Sequence, residues 1–267
     1  MQSSKQNEPN PRHEFYRRAI TILNQSRISF LVGGAFALKR YTGIARQWTK
    51  DFDIFIYPED CEHVLEVFSA SDYKTELTFP HWLGKAFCGE DLIDIIFSSG
   101  NGICKVDDAW FEHAIEGEIL NMPVRLIPLE EMIWSKAFIM ERERYDGADI
   151  AHILRACSKG LDWSRLLGRF GSYWRVLFSH LILFGFIYPD EQLQIPSWVM
   201  DELLSCLQNE INNPLSINRI CQGTLLSVVQ YRIDIECWEY RDARLIPRGN
   251  MTSEEIAHWT RAFEEDK

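Results

Sequence analysis

Apolar residues recur along this chain in two rhythms. From Arg12 to Ser26, Phe15, Ala19, Ile20, Ile22 and Leu23 fall at the spacing of one helix face. Ile28-Ser-Phe-Leu-Val32 is a short strand-like run stopped by Gly33-Gly34, and Ala35 to about Tyr41 reads as helix again. Asp53-Ile-Phe-Ile-Tyr57 is strand-like and ends at Pro58, while Val64, Leu65 and Phe68 mark a helix over 59–68. Further strands are predicted over 74–79, 85–88 and 92–97, the first two as a hairpin. Two more, over 118–120 and 124–127, flank Asn121-Met-Pro.

Beyond Pro128 the helical rhythm takes over. Residues 129–143, 148–157, 163–170, 173–186, 198–209 and 223–239 all read as helix. Thr252-Ser-Glu-Glu255 opens one more, with Thr252 or Ser253 as cap. The fold class implied is α+β (α/β): a mixed-sheet domain over residues 1–127 followed by a helical region over 128–267, without internal repeats. Residues 1–10 are polar and expected to fray.

Composition narrows the class. The 267 residues are 46% hydrophobic and 25% charged, enough to bury a core, which excludes disordered, collagen-like and disulfide-miniprotein classes. Net charge is −11, shared as −6 over residues 1–160 and −5 over 161–267. Neither half is the basic module that grips nucleic-acid phosphates. Arg241, Arg244 and Arg248 form a small cluster offset by Glu236, Glu239 and Asp242, which reads as a solvated face. Seven cysteines, an odd number, show no CxxC pair, and the chain opens without an apolar signal segment. The expectation is a cytoplasmic protein with reduced thiols. The most apolar run, Val176 to Tyr188, is 13 residues against the roughly 20 of a membrane span, so a buried helix and no membrane association are expected.

The informative chemistry lies in Phe30-Leu-Val-Gly-Gly-Ala-Phe-Ala-Leu38 and Thr49-Lys-Asp-Phe-Asp-Ile-Phe-Ile56. A glycine turn between strand and helix lets backbone N–H groups approach an anion where the helix N-terminus favours negative charge. Asp51 and Asp53, two apart, share one strand face while Phe52 and Ile54 point to the core. Asp94 interrupts the apolar run Leu92-Ile-Asp-Ile-Ile-Phe97, an expensive place for a lone carboxylate. Three carboxylates about 4 Å apart would repel by roughly 1 to 4 kcal/mol per pair. A divalent ion reverses that sign, and hard oxygen ligands with positions open to phosphate suit Mg²⁺.

These residues resemble the DNA polymerase β-like nucleotidyltransferase superfamily in its minimal bacterial, AbiEii-like and toxin-like forms. There an apolar strand, a Gly-Gly or Gly-Ser turn and a helix precede Asp-x-Asp on the next strand and a third Asp on a later one. The resemblance implies that Gly33 and Gly34 bind nucleotide, and that Asp51, Asp53 and Asp94 are metal-binding and catalytic. It further implies Mg²⁺ as cofactor, an NTP as co-substrate, and transfer of a nucleoside monophosphate to an acceptor hydroxyl. The match continues through Glu130-Glu-Met-Ile-Trp-Ser-Lys136 and Arg142-Glu-Arg-Tyr-Asp146-Gly-Ala-Asp149, where a helix lysine and a following aspartate complete the family's site. Lys136 is thereby assigned to nucleotide phosphate, as a catalytic and nucleotide-binding residue.

Read from the residues alone, Lys136 sits on a helix apolar nearly all round and must snorkel or face a polar cavity. Asp146, before Gly147-Ala-Asp149, is a natural N-cap. His81, between Pro80 and Trp82, reads as a packed or surface residue and is not assigned. The 16 residues between Gly34 and Asp51 make a longer loop than most members have, which bears on the acceptor side. Acidity of both halves favours a small molecule or a protein over a long nucleic acid as acceptor. The alternatives are a toxin-like component with an antitoxin partner, an aminoglycoside-type small-molecule adenylyltransferase, and a non-catalytic NTP-binding protein.

Overall fold

The computed structural model describes residues 11–44, 51–213 and 219–265. Residues 1–10, expected to fray, and residues 45–50 of the loop preceding Asp51 lie outside the described residues. The described chain forms two compact units. One holds the residues up to Ala37, those from 51 to Ser98, and Lys105–Ile127; the other holds Leu38–Ile44, Ser99–Cys104 and the residues from Pro128 onward.

The first unit comprises α1 (Pro11–Ser26), β1 (Leu31–Val32), the first residues of α2 (Gly34–Thr42), β2 (Asp51–Phe55), α3 (Cys61–Ser69), β3 (Lys74–Phe79), β4 (Leu83–Cys88), β5 (Asp91–Ile96), α4 (Asp108–Glu112), β6 (Ile115–Ile119) and β7 (Met122–Leu126). Its seven strands make one mixed sheet in the order β3-β4-β5-β2-β1-β7-β6. The β2–β5 and β1–β7 pairs are parallel and the remaining pairs antiparallel. Strand alternation sends Phe52, Ile54, Ile93, Ile95 and Ala86 to one face, where they are buried against Tyr16, Ala19 and Ile20 of α1 and Val64 and Phe68 of α3. Tyr16 stacks on Phe52 at 5.0 Å, and Phe36 meets both rings edge-on. Each such side chain contributes about 1.5–3 kcal/mol on burial, so the register of β2 and β5 is held firmly. The opposite face keeps Asp51, Asp53 and Asp94.

The second unit contains α5 (Leu129–Ala137), α6 (Gly147–Cys157), α7 (Trp163–Phe170), α8 (Trp174–Ile187), α9 (Ser197–Asn212), β8 (Ile220–Cys221), α10 (Arg232–Glu236), β9 (Arg241–Asp242) and α11 (Ser253–Glu265), with β8 and β9 paired in parallel. A buried ion network ties α5 to α7. Arg165 pairs with Glu130 and, at 2.6 Å, with Glu131; Arg169 Nε donates to Glu131 at 2.8 Å. The stretch Trp163–Ile187 is long and apolar enough to cross a membrane by length and composition. In the fold it is α7, a tight turn over Gly171–Tyr173, and α8, with Leu166, Phe170, Leu177 and Phe184 buried and Ile182, Phe186 and Ile187 exposed. All seven cysteines are free.

Three local expectations are corrected, and one helix is added. The helix expected over 129–143 stops at Ala137, because Met140 N–H donates to Leu226 O at 3.1 Å and Glu141 accepts from Ser227 Oγ and from Val228 N at 2.7 Å. Those same bonds divide the helix expected over 223–239, leaving only a turn at Gly223–Leu225 and the short α10. Arg244 is buried and ion-paired to Asp242 at 2.7 Å, so the arginine cluster is not wholly a solvated face. The helix α4, capped by Asp107 Oδ1 on Ala109 N at 3.1 Å, was not expected. At α11 the expected cap is present: Thr252 Oγ1 accepts from Glu255 N at 3.2 Å, and Glu255 Oε2 accepts from Thr252 N at 2.7 Å.

Candidate active site

In the first unit the glycine turn meets Asp53 directly, and Asp94 stands beside Asp53 on the next strand. Gly33 N–H donates to Asp53 O at 3.0 Å, extending the β1–β2 ladder by one bond, and Gly33 O accepts from Ala37 N at 3.1 Å to start α2. Gly34 has φ +54°, the left-handed region where a side chain strains the backbone. A Cβ there would also overlap the Asp53 carboxylate, lying 2.6 Å from its Cγ and closer still to Oδ2. At Gly33 a Cβ would strike the Phe55 ring and come within 3.1 Å of Ile127 Cδ1. Both glycines therefore make room, the first for the hydrophobic end of β2 and the second for a carboxylate. Asp53 lies against the N-terminal turn of α2, where the helix end favours negative charge.

Asp53 and Asp94 are direct neighbours across the parallel β2–β5 pair, in strands spaced about 4.8 Å apart. Asp51 stands one side-chain period earlier on the same face, about 7 Å along β2. On the other side of Asp94, Lys85 of β4 is its antiparallel partner, and Lys85 Nζ lies 3.7 Å from Asp94 Oδ1. Glu76 of β3 faces Lys85 in turn. One row across four strands thus reads Asp53, Asp94, Lys85, Glu76. Among the described residues no three His, Cys, Asp or Glu side chains converge closely enough to hold a metal ion. Asp51, Asp53 and Asp94 are aligned on one face without meeting at one point. Their type still fits a hard divalent cation, since each offers carboxylate oxygen on a partly open face and the turn at Gly34 is shaped around one of them.

In the second unit Lys136, at the end of α5, does not snorkel. Its amine lies 2.7 Å from Asp146 Oδ2 and 2.8 Å from Asp149 Oδ2, with side chains 15%, 9% and 1% exposed respectively. Asp146 takes the N-cap position of α6 but makes no side-chain cap bond; its carboxylate goes to Lys136 and to Arg144 at 3.4 Å. The capping reading of Asp146 is corrected accordingly: a buried ion pair outweighs a neutral N–H bond at a helix end. Burial pushes the Asp146 carboxyl up, and the Lys136 and Arg144 charges outweigh it, so its pKa falls below the ordinary carboxylate value. His81 sits half-buried in the β3–β4 turn with its ring 6.3 Å from that of Phe79.

Two participants escaped the sequence reading. Lys85 carries no motif of its own, and only the β4–β5 register brings it to Asp94. Asp149, in the first turn of α6, is the deeply buried partner of Lys136.

No protein-family model matches this chain, and no curated protein is significantly similar to it. Among solved structures it is similar to the antibiotic-resistance factor ANT(2″)-Ia, at 17% identity and TM-score 0.45 over 64% of this chain and 96% of that one. The lincosamide antibiotic adenylyltransferase LnuA, lincomycin-bound, matches at 14% identity and TM-score 0.40 over 55% and 98%. An antigenic nucleotidyltransferase-like protein from Paracoccidioides brasiliensis matches at 15% identity and TM-score 0.45 over 68% and 91%. At these scores the likeness is distant, and any chemistry assigned to this chain rests on its own residues. By its own architecture the chain is a mixed-sheet α/β protein with C-terminal helices.

Proposed function

We propose that this chain is a Mg²⁺-dependent nucleotidyltransferase that moves a nucleoside monophosphate from an NTP to a hydroxyl of a small, cationic acceptor. One observation carries the reading: a left-handed glycine turn at a helix N-terminus is shaped around the carboxylate of Asp53, with Asp94 in register beside it. In that reading Gly34 and the start of α2 hold triphosphate oxygens through backbone N–H groups, while Gly33, whose own N–H is bonded to Asp53 O, shapes the turn. Asp51 and Asp53, with Asp94, supply oxygen ligands to the cation, which when bound neutralises phosphate charge and orients the in-line displacement.

The acceptor oxygen bonds to the α-phosphorus and the bond to the bridging oxygen breaks. Pyrophosphate leaves, and Asp94 takes the hydroxyl proton. The family resemblance assigns Lys136 to the leaving phosphates; within its own unit the amine is held by Asp146 and Asp149. The net charge of −11 supports a cationic acceptor over a long nucleic acid.

The test is pyrophosphate release with each labelled NTP, Mg²⁺ and a panel of hydroxylated amines. Transfer should require Mg²⁺ and disappear in Asp51→Asn and Asp53→Asn while circular dichroism is unchanged. Activity surviving either substitution refutes the assignment. NTP binding without pyrophosphate release over the whole panel favours a non-catalytic nucleotide-binding protein.

A further inference from the structure

We infer that Lys85 is an internal counter-ion to Asp94 which competes with a divalent cation for the site between Asp53 and Asp94. This deepens the proposed nucleotidyl transfer and rests on the carboxylate row of that reading. Three observations combine. Lys85 and Asp94 are direct cross-strand partners, with the amine 3.7 Å from Oδ1. The pair is 26% and 17% exposed, so the attraction is only partly screened by water. Asp53 is the register partner of Asp94 on its other side, so the two carboxylates and the amine stand in one row across three strands.

The groups facing Asp94 along the row explain how the state is set. Asp53 on β2 repels it from one side, Lys85 on β4 attracts it from the other, and Glu76 on β3 faces Lys85 from behind. A cation placed between Asp53 and Asp94 must displace the lysine from its carboxylate, and a bare ion then meets an ammonium at close range. A nucleotide changes the balance. Its phosphates add negative charge on that face, which gives the released ammonium a new partner and the metal additional oxygen ligands. Cation binding is therefore weak alone and strong with nucleotide. Lys85 is a positioning residue in this scheme: it acts through Asp94.

The experiment is calorimetric titration of Mn²⁺ alone into the nucleotide-free protein. Lys85→Met and Lys85→Gln should each bind Mn²⁺ about tenfold more tightly than the unsubstituted chain or more, as expected for removing one unit charge at this distance. Lys85→Arg should retain the weak affinity. Adding Asp94→Asn to Lys85→Met should abolish the gain. Unchanged affinity in both neutral variants, or a gain that survives Asp94→Asn, overturns the inference. Loss of Mn²⁺ binding in Asp53→Asn separates the two questions. If that loss occurs while Lys85→Met changes nothing, only the role of Lys85 fails. If no form binds Mn²⁺ with or without NTP, the metal reading fails and this inference with it.

Discussion

Replacing Gly34 by alanine tests whether the turn is built around Asp53. Two separable penalties act at that position. The backbone stands at φ +54°, and a left-handed L-residue costs about 1–2 kcal/mol. The new methyl also overlaps the Asp53 carboxylate, with Cγ only 2.6 Å away, and forcing displacement in a packed site costs typically about 1–3 kcal/mol. Gly43 supplies the internal control: its φ is +75° and a Cβ there meets nothing within 4 Å, so Gly43→Ala carries the backbone penalty alone.

Urea unfolding should therefore show Gly34→Ala destabilised by about 2–5 kcal/mol and Gly43→Ala by about 1–2 kcal/mol. If Asp53 moves to relieve the overlap, NTP-dependent pyrophosphate release should fall in Gly34→Ala and be retained in Gly43→Ala. Equal destabilisation of the two variants, or full activity in Gly34→Ala, would refute the idea that the glycine exists to accommodate the carboxylate.

Further outcomes follow from the second unit. Lys136→Met removes the cation shared by Asp146 and the buried Asp149, so it should cost about 3–5 kcal/mol in urea unfolding, with part recovered by adding Asp149→Asn. No recovery would show that the pair is not electrostatically coupled. Glu131→Ala removes the fully buried partner of Arg165 and Arg169 and should cost a similar amount; a loss below about 1 kcal/mol would show that the network does not brace α5 against α7. Burial holds the His180 pKa below its ordinary value, although its ring bond to Ala137 O opposes the shift. Its contribution to stability is thus present above about pH 6.5 and lost as pH falls through the lowered folded value. The drop in Tm between pH 7.5 and 5 should be smaller in His180→Gln than in the unsubstituted chain, and an equal drop would refute the linkage.

Local sequence determined most of the sheet unit and little of the second unit's connections. The pattern Asp51-Phe-Asp-Ile places acids and core residues on opposite faces because strand side chains alternate, whatever surrounds them. The Gly33-Gly34 break and the Thr252–Glu255 cap are equally local, since each depends on backbone conformation within four residues. Bonds between distant segments had no such signal. Glu141 ends one expected helix and divides another by reaching Ser227 and Val228, and a helical pattern cannot register a bond over 86 residues.

Charge partners follow the same division. Asp94 was conspicuous because an acid in an apolar strand demands a partner, but which cation answers it depends on strand order. Only the tertiary structure brought Lys85 to Asp94 and Asp149 to Lys136. Their energies depend on a separation of a few ångströms and on burial, and both are set by packing between elements.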